Sequence, residues 1–398
     1  MGHPQRFRVI DMDAFTNPES LTEQRLRLDR PPAIDLKSNM KVATDQGRTL
    51  FGLAREAFQI CRAPGRISPA EYFYYRLWED DLSLEEKKKY IGKQAQETMH
   101  RACNDPAWHA VTHDKLLLHS VLEMAGNPTP RITAVVHPTR YLMGRFELGS
   151  EPAHLSNRSK LLKFLSVKDN YPIFGKPIDG MYSLGVFRAQ VDWQHRAKKV
   201  ENILVDREPT TTEALADRLL SNPAGYIFQK PLAPHYGFSF VVGRRLCSVR
   251  LMILYGSEGP RIESAVMKIP VGTNIADNYW RPGNLVGAID LATGRITRVV
   301  TGVGDRLRVS PSHPDTNVAL VGQSVPFWAG VCELGLGASH QFPGVRTQSW
   351  DIALADGWPV ILEINAGGDL NLHQLAHRRG ALTPSFTEHL AANFYSAK

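Results

Sequence analysis

Cysteine is scarce, and the four cysteines of the 398-residue chain lie far apart, with no C-x-x-C pair. They are Cys61, Cys103, Cys247 and Cys332. No histidine stands at ligand spacing from them, so the pattern excludes a disulfide framework and a structural zinc site. Long apolar runs are also missing, because no window approaches the roughly eighteen residues of a membrane-spanning helix. No basic patch followed by an apolar stretch opens the chain, so we expect no signal peptide and predict a cytoplasmic protein.

Clustered charge of one sign is absent too. Lys and Arg number 47 against 40 Asp and Glu, a formal net charge of +7, and these residues are spread along the chain. The densest run, EEKKKY at residues 85–90, mixes both signs as a solvated helix face does. Because a nucleic-acid interface needs clustered basic residues, we expect no nucleic-acid partner. An anionic small-molecule substrate accounts for the positive excess equally well.

The chain is long enough, at 43% hydrophobic residues, for two or three ordinary domains. Residues 1–113 are predicted to form a helical N-terminal region. Residues 48–61 carry apolar side chains at helical spacing, and residues 83–100 open with a capping box of Ser83 and Glu86.

Residues 114–228 form the predicted central domain. A helix begins at Asp114 and ends at Gly126, and the strand-like run RITAVVH follows it. Further strand-like runs, YPIFGKP, LGVFRAQVDW and AGYIFQKPL, accompany a predicted helix over residues 212–220.

Residues 229–398 form the predicted C-terminal domain. The runs FSFVVG, RLCSVRLMILYG and RIESAVMKI indicate three strands of an antiparallel sheet. A helix over residues 325–336, a hairpin of SWDIALAD and WPVILEIN that turns at Asp356-Gly357, and a helix near residues 384–394 follow. The fold class that these patterns predict is α+β.

The hairpin carries a candidate metal site. Asp351 stands on its first strand, and Glu363 and Asn365 stand on its second, where period-two alternation places both on one face. Two carboxylates and a carboxamide make an oxygen-only site that Mg²⁺ accepts while it keeps waters and phosphate oxygens. A pair of surface acids on a hairpin is the alternative.

A lysine and a glycine loop form a candidate phosphate site. PIFGKPIDGMYSLGV places Lys176 at the end of an apolar strand, before a loop with Gly180, Ser183 and Gly185. A lysine beside flexible backbone N–H groups can hold phosphates, although the Walker pattern G-x-x-x-x-G-K-[ST] is absent. An ordinary glycine turn is the alternative.

The run YIFQKPLAPH is a candidate nucleobase site. The carboxamide of Gln229 and the backbone that continues to Leu232 could pair with the edge of an adenine, while Lys230 reaches towards phosphate. An ordinary edge strand that ends at a proline is the alternative.

In order and spacing, these motifs resemble the ATP-grasp superfamily, and specifically its sugar-transfer-associated branch. The matching positions are Asp114-Lys115, Lys176 with its glycine loop, Gln229-Lys230-Pro231-Leu232 as an interdomain hinge, Arg250, and Asp351, Glu363 and Asn365. The segments HPDT (residues 313–316), VPFWAGV and SWDIALADGWPVILEINAG are also similar to that branch. The chain departs from the pattern at Gln229, where many of these enzymes carry Glu, and at the bulky Met181 and Tyr182 of the glycine loop.

The resemblance implies an ATP-grasp fold, in which two α+β lobes with antiparallel sheets grip ATP, here preceded by the helical N-terminal region. It implies that a carboxylate attacks the γ-phosphate and that an amine, or less commonly a hydroxyl, captures the acylphosphate, releasing ADP and phosphate. The implied ATP-binding residues are Lys115, Lys176, Gly180, Ser183, Gln229, Lys230 and Leu232. The implied ligands of Mg²⁺, or of Mn²⁺ in its place, are Asp351, Glu363 and Asn365.

Further charged and polar residues are candidates for catalysis and substrate binding. Arg250 lies inside an apolar strand, where a buried guanidinium needs either a phosphate or a structural salt bridge as its partner. Lys268 ends the next strand, and we expect both residues to be catalytic. The loop NYWRPGNL resembles the acceptor side in this family, which makes Asn278, Arg281 and Asn284 candidate substrate residues; a simple turn is the alternative.

The expected function is therefore that of an ADP-forming carbon–nitrogen ligase acting on a small-molecule carboxylate and an amine. The branch implies a context of natural-product or cell-surface polysaccharide biosynthesis. A small-molecule kinase on the same fold and an ATP-binding regulatory protein without turnover are the alternatives, and a homodimer remains an open expectation.

Overall fold

The computed structural model describes residues 33–144, 151–180, 184–191, 200–274 and 276–393. Its helices are α1 (Leu36–Asp45), α2 (Leu50–Cys61), α3 (Pro69–Tyr74), α4 (Leu84–Lys87), α5 (Lys93–Cys103), α6 (His109–His113), α7 (Lys115–Met124), α8 (Arg158–Leu165), α9 (Thr212–Leu220), α10 (Tyr236–Val242), α11 (Trp328–Ser339), α12 (Leu370–His377) and α13 (Pro384–Ala392). Its strands are β1 (Ile132–Val136), β2 (Ala153–His154), β3 (Ile173–Pro177), β4 (Phe187–Gln190), β5 (Asn202–Val205), β6 (Glu208–Thr211), β7 (Tyr226–Gln229), β8 (Ser248–Gly256), β9 (Gly259–Ile269), β10 (Leu285–Ile289), β11 (Ile296–Thr301), β12 (Arg308–Val309), β13 (Thr347–Ala353) and β14 (Val360–Ala366).

Seven of the described strands form the first sheet, in the order β2-β1-β7-β3-β4-β5-β6. Neighbouring strands are antiparallel except β1 and β2. Side chains alternate between the faces, so Phe187 and Phe228 pack in one core cluster with Leu161 of α8 and Leu215 of α9. Alternate residues of these strands face the other way; Ile227 of β7, for example, packs in a separate cluster with Leu116 of α7.

The second sheet also contains seven of the described strands, in the order β12-β11-β10-β9-β8-β13-β14, and all its neighbours are antiparallel. On one face, Leu251 and Trp350 pack with Val331 of α11 in the largest core cluster. Burial of each such side chain contributes roughly 1.5–3 kcal/mol relative to exposure. The opposite face carries Arg250 and Asp351, which are paired in register on β8 and β13.

The N-terminal helices pack on that opposite face. Tyr72 of α3 and the following Tyr75 and Trp78 share a core cluster with Val266 and Val286 of the second sheet. The aromatic side chains therefore cover one part of the face and leave its charged part beside the first sheet. The expectation of an α+β fold with two antiparallel-rich sheets and an N-terminal helical region is confirmed.

The helix predicted over residues 83–100 is wrong in its extent. Its capping box forms, but α4 ends at Lys87 and α5 begins at Lys93. Between them, the Ile91 N–H donates to Gln374 Oε1 at 2.7 Å, and the Ile91 carbonyl accepts from Gln374 Nε2 at 3.0 Å. These tertiary hydrogen bonds satisfy the backbone in place of helical ones.

The run FSFVVG, predicted as a strand, forms part of helix α10. The His235 ring caps this helix by accepting from the Phe238 N–H at 3.1 Å, and Gly243 ends it at φ +73°. Phe238, Val241 and Val242 are buried at helical spacing, so packing overrides the strand propensity of their residue types.

Two further observations complete the architecture. Among the described residues, no helix is both long and apolar enough to cross a membrane. The four cysteines are free thiols, and Cys103 and Cys247 are buried.

Candidate functional site

A cleft of about 930 Å³ lies between the two sheets. Strand register places Lys176 and Gln229 on the same face of the first sheet, and it places Asp351 opposite Glu363 on the second. The predicted site residues that line the cleft are Lys115, Lys176, Gly180, Gln229, Lys230, Leu232, Lys268, Asp351 and Glu363. Predicted residues outside its lining are Arg250, Asn278, Arg281, Asn284 and Asn365. Ser183, like Met181 and Tyr182, lies outside the described residues.

Each sheet, with the segments that pack on it, is called a lobe here, the first lobe for the first sheet and the second lobe for the second. Lys115 and Lys176 are two buried cations of the first lobe. Asp114 caps helix α7 by accepting from two backbone N–H groups, which fixes Lys115 as the first helical residue. Lys115 Nζ donates to the Gly180 carbonyl at 3.0 Å, and Lys176 makes no side-chain hydrogen bond to another described residue. Burial, and then the charge of Lys115, lower the pKa of Lys176 to about 8, while Glu363 opposes that shift. Neighbouring ammonium groups without a carboxylate in contact form a site for an anion.

An arginine holds the start of the glycine loop. Arg140 Nη1 lies 3.0 Å from Asp179 Oδ2, and the same guanidinium pairs with Asp114. Asp114 and Asp179 also form an isolated β-bridge. The residue that opens the loop is thus tied to the cap of α7, which keeps Gly180 within reach of Lys115.

Gln229, Lys230 and Leu232 lie where the chain passes from one lobe to the other. Gln229 Nε2 lies 3.3 Å from the Pro130 carbonyl and 3.1 Å from His119 Nε2, so the carboxamide nitrogen is already bonded and Oε1 is the atom left for the cleft. Lys230 is exposed, and its Nζ donates to the Asp169 carbonyl at 3.2 Å. The Leu232 N–H makes no backbone hydrogen bond within the described residues.

Arg250, Lys268 and Asp351 form a buried ion-pair cluster in the second lobe. Arg250 donates from Nε to Asp351 Oδ1 and from Nη2 to Oδ2, both at 2.7 Å, and Lys268 Nζ donates to Oδ2 at 2.9 Å. Lys268 Nζ is also 3.3 Å from Asp277 Oδ1. Of the two partners expected for an arginine in an apolar strand, a phosphate or a salt bridge, Arg250 therefore has the salt bridge. Of the two predicted catalytic cations, only Lys268 lines the cleft.

The cluster is charged throughout. Burial alone would raise the pKa of Asp351, but Arg250 and then Lys268 hold that pKa well below its usual range. Burial opposes the charge of both cations as well, yet Asp351 raises the pKa of Arg250, and Asp277 with Asp351 raises the pKa of Lys268. The wall of the second lobe thus presents fixed charges at neutral pH.

Glu363 and Asn365 fit the requirements of Mg²⁺. Asn365 Nδ2 donates to Glu363 Oε1 at 3.4 Å. On β13, Asp351 is paired in register with Glu363, and Ser349 is paired with Asn365. No group of three or more His, Cys, Asp and Glu that could hold a metal occurs in the described ranges. Mg²⁺ does not need one, because it is commonly held by one or two carboxylates with phosphate and water oxygens. Asp351 already accepts from three cationic N–H groups, which leaves about one of its four acceptor positions, on Oδ1.

Asn284 has a structural place in its loop. Its Oδ1 accepts from the Val271 N–H at 2.9 Å and from Asn274 Nδ2 at 2.7 Å, and its Nδ2 donates to the carbonyls of Ala276 at 3.0 Å and Asn278 at 2.7 Å. These four bonds use the hydrogen-bonding capacity of a carboxamide, so Asn284 shapes its loop in this structure, and its contact with substrate stays a prediction. Asn278 Oδ1 accepts from the Trp280 N–H at 3.2 Å.

Three residues of the site carry no motif that predicts them. His119 follows Lys115 by four positions on an apolar helix, a spacing that places both on one side of α7. Arg188 lies on β4 and Val186 lies just before that strand, and both line the cleft. Asp277 lies in the loop before β10, and no sequence pattern indicates that it pairs with Lys268.

The comparisons with known proteins concern most of the chain. A family model described as sugar-transfer associated ATP-grasp matches residues 94–388. No curated protein sequence matches the chain.

Solved structures resemble parts of the chain at low identity. N5-carboxyaminoimidazole ribonucleotide synthetase from Thermotoga maritima is 12% identical, with a TM-score of 0.32 and coverage of 70% of this chain and 49% of the synthetase. L-amino acid ligase from Bacillus licheniformis is 11% identical, with a TM-score of 0.33 and coverage of 68% and 46%. D-alanine–D-alanine ligase from Bacillus anthracis is 10% identical, with a TM-score of 0.37 and coverage of 75% and 74%. The chain thus spans about half the length of the first two proteins.

Proposed function

The chain belongs to the sugar-transfer associated ATP-grasp family, and from that membership we propose that it is an ATP- and Mg²⁺-dependent carboxylate ligase. In the proposed reaction, a substrate carboxylate attacks the γ-phosphate of ATP. An amine, or in a variant of the reaction a hydroxyl, then displaces phosphate from the acylphosphate. The products are ADP, phosphate and an amide or ester.

One observation carries the proposal. Lys115 and Lys176 from the first lobe, and Lys268, Asp351 and Glu363 from the second, line a single cleft. Phosphoryl transfer requires charge neutralisation and in-line positioning more than a nucleophilic side chain. A cleft with two buried lysines on one wall and a lysine with two carboxylates on the other supports that chemistry.

The residues divide the work according to their surroundings. Lys176 has no competing hydrogen bond in the described part of the chain, so it is the cation best placed to take phosphate oxygens; Lys115 can exchange its bond to Gly180 for a phosphate. Lys268 remains tied to Asp351 and Asp277, which fixes its charge at the cleft wall. Arg250 acts as a positioning residue, because it holds the carboxylate of Asp351 and does not line the cleft.

Glu363 and Asn365, with the remaining acceptor position of Asp351, would hold Mg²⁺. When bound, the ion would supply charge neutralisation for the transferring phosphoryl group. The substrates we propose are a small-molecule carboxylate and an amine, in natural-product or cell-surface polysaccharide biosynthesis.

Product analysis tests the proposal. The protein is incubated with Mg²⁺-ATP and a deproteinised extract of small metabolites, and nucleotides, phosphate and new masses are measured by chromatography and mass spectrometry. We expect extract-dependent ADP and phosphate together with a product lighter by one water than the sum of its two precursors. AMP and diphosphate would contradict the proposal, and a stable phosphorylated metabolite would indicate a kinase instead.

A further inference from the structure

His119 is a buried polar side chain that has a single hydrogen-bond partner in the part of the chain that the structure describes. It is 1% exposed, and its Nε2 lies 3.1 Å from Gln229 Nε2. Its Nδ1 has no partner among the described residues. Burying an imidazole for one contact costs free energy that an apolar side chain would not, so the contact with Gln229 calls for a reason.

The contacts around Gln229 determine which end of its carboxamide is which. The Pro130 carbonyl can only accept a hydrogen bond, so the Gln229 atom 3.3 Å from it is the NH₂ group. The second hydrogen of that group is directed to His119 Nε2, which must then be the unprotonated nitrogen of a neutral ring. Burial, followed by the charges of Lys176 and Lys115, lowers the pKa of His119 to about 3, so the ring is neutral across the physiological range.

The two acceptors together fix the orientation of the amide. With both NH₂ hydrogens engaged behind the strand, Gln229 Oε1 makes no hydrogen bond to another described residue, and Gln229 lines the cleft. The hinge then offers an acceptor, Gln229 Oε1, and a donor, the Leu232 N–H, from two residues that both line the cleft. Adenine presents the complementary edge, with a 6-amino donor beside the N1 acceptor. Guanine presents the reverse, with a 6-oxo acceptor beside the N1–H donor.

We propose that His119 is a positioning residue that holds the Gln229 carboxamide with Oε1 towards the cleft and thereby sets a preference for adenine over guanine nucleotides. The inference rests on the proposed function in one respect, namely that a nucleoside triphosphate binds in this cleft. Without His119, only the Pro130 carbonyl orients the amide. The amide can then rotate and present its NH₂ group to the cleft, which loses the bond to the adenine 6-amino group and offers a donor to the guanine 6-oxo group.

Calorimetric titration of the full chain with Mg²⁺-ATP and Mg²⁺-GTP tests the inference without requiring turnover. We expect wild type to prefer ATP, and His119→Leu to lower the ratio of ATP to GTP affinity by about tenfold or more, since one discriminating hydrogen-bond pattern is lost. His119→Gln, which supplies an amide oxygen as acceptor, should restore most of the ratio. Ser120→Ala is the matched control, because Ser120 is a buried neighbour whose Oγ has no partner among the described residues. It should leave the ratio unchanged.

The outcomes separate the inference from the proposed function. Wild-type protein that binds ATP and GTP equally, or a His119→Leu ratio equal to that of wild type, overturns the role of His119 and leaves the ligase proposal standing. Wild-type protein that binds neither nucleotide overturns both. If His119→Leu does not fold, His119→Phe provides a flat ring without the acceptor and must show the same loss of preference. A purine riboside triphosphate, which lacks the 6-amino group, must also bind wild type about tenfold more weakly than ATP.

Discussion

Arg250 and Asp351 are joined by two hydrogen bonds of 2.7 Å across the neighbouring strands β8 and β13. Lys268, from β9 on the other side of β8, adds a third bond of 2.9 Å to the same carboxylate. One buried side chain thus ties three adjacent strands together at the wall of the cleft. Because three donors already bind Asp351, few of its acceptor positions are left for a metal. Glu363 is therefore the carboxylate with more acceptor positions available.

Asp351→Asn should lower the stability of the whole lobe. The substitution keeps the shape of the side chain but leaves two buried cations without their counter-charge, so we expect the free energy of unfolding to fall by about 3–5 kcal/mol. Urea denaturation followed by circular dichroism measures this. Asp356→Asn, on the exposed hairpin turn, is the control and should stay within about 0.5 kcal/mol of wild type. If Asp351→Asn also changed the free energy of unfolding by no more than about 0.5 kcal/mol, the cluster would not stabilise the fold.

Glu363→Gln should separate catalysis from stability. Glu363 has no cation within ion-pairing distance among the described residues, so removing its charge should barely change the unfolding free energy. Turnover should fall by at least about 100-fold, because a charge that serves the transferring phosphoryl group is lost. Substrate-dependent ADP release by Glu363→Gln and by the exposed control Glu258→Gln provides the comparison. Turnover by Glu363→Gln close to that of the control would remove Glu363 from the metal site.

Lys176 should make nucleotide binding depend on pH. Its pKa in the folded protein is about 8, whereas an unperturbed lysine titrates at 10.5. Above pH 8 the free protein loses the charge that attracts phosphate, so we expect the affinity for Mg²⁺-ADP to fall by about tenfold between pH 7 and 9.5. Lys176→Arg should flatten the profile, since arginine stays charged throughout. Parallel pH profiles for wild type and Lys176→Arg would show that another group controls binding.

The same titration predicts a trend in stability without nucleotide. Between pH 8 and 10.5 the unfolded chain holds the Lys176 proton that the folded chain has released. The unfolded state therefore binds more protons, and the contribution of Lys176 makes the free energy of unfolding rise with pH in this window. Urea denaturation of wild type and Lys176→Met at several pH values isolates that contribution. The difference in the free energy of unfolding between wild type and Lys176→Met should narrow as the pH rises. A widening difference would contradict the predicted rise of the Lys176 contribution with pH.

Asn284→Leu should damage the fold more than the chemistry. It removes four loop hydrogen bonds and leaves buried backbone groups without partners, which we expect to cost about 2–4 kcal/mol of unfolding free energy. Asn274→Ala removes one of these bonds and also the bond from Asn274 Nδ2 to the Pro282 carbonyl, and it should cost about 1–2 kcal/mol. The affinity of the folded protein for ATP should stay within about twofold of wild type. A strong loss of affinity at unchanged stability would restore the predicted substrate role of Asn284.

Much of the fold follows from local sequence signals. Asp114 caps α7 as predicted, and the helix over residues 212–220 has its predicted bounds, because caps and helical periodicity act within a few residues. The hairpin of β13 and β14 also forms at its Asp-Gly turn. The break between α4 and α5 was not predictable, since it depends on Gln374, about 280 residues away in the chain.

The sequence predicts which residues belong to the candidate site better than it predicts which of them contact each other. Alternation along β14 predicts that Glu363 and Asn365 share a face, and strand register places them so. No local pattern indicates that Arg250 and Lys268 both bind Asp351, or that His119 contacts Gln229, because each contact joins segments about 80 to 110 residues apart. The roles assigned to these residues, and the domain boundaries after residues 113 and 228, remain predictions.

Transfer of a carboxylate oxygen to phosphate tests the central claim most directly. The metabolite extract is enriched with ¹⁸O in its carboxylates by acid exchange and incubated with unlabelled Mg²⁺-ATP and the protein, and the released phosphate is analysed by mass spectrometry. Attack of a carboxylate on the γ-phosphate, followed by displacement, must place one ¹⁸O in the phosphate with wild type and none with Glu363→Gln. Unlabelled phosphate released together with ADP by wild type would contradict activation of a carboxylate as an acylphosphate.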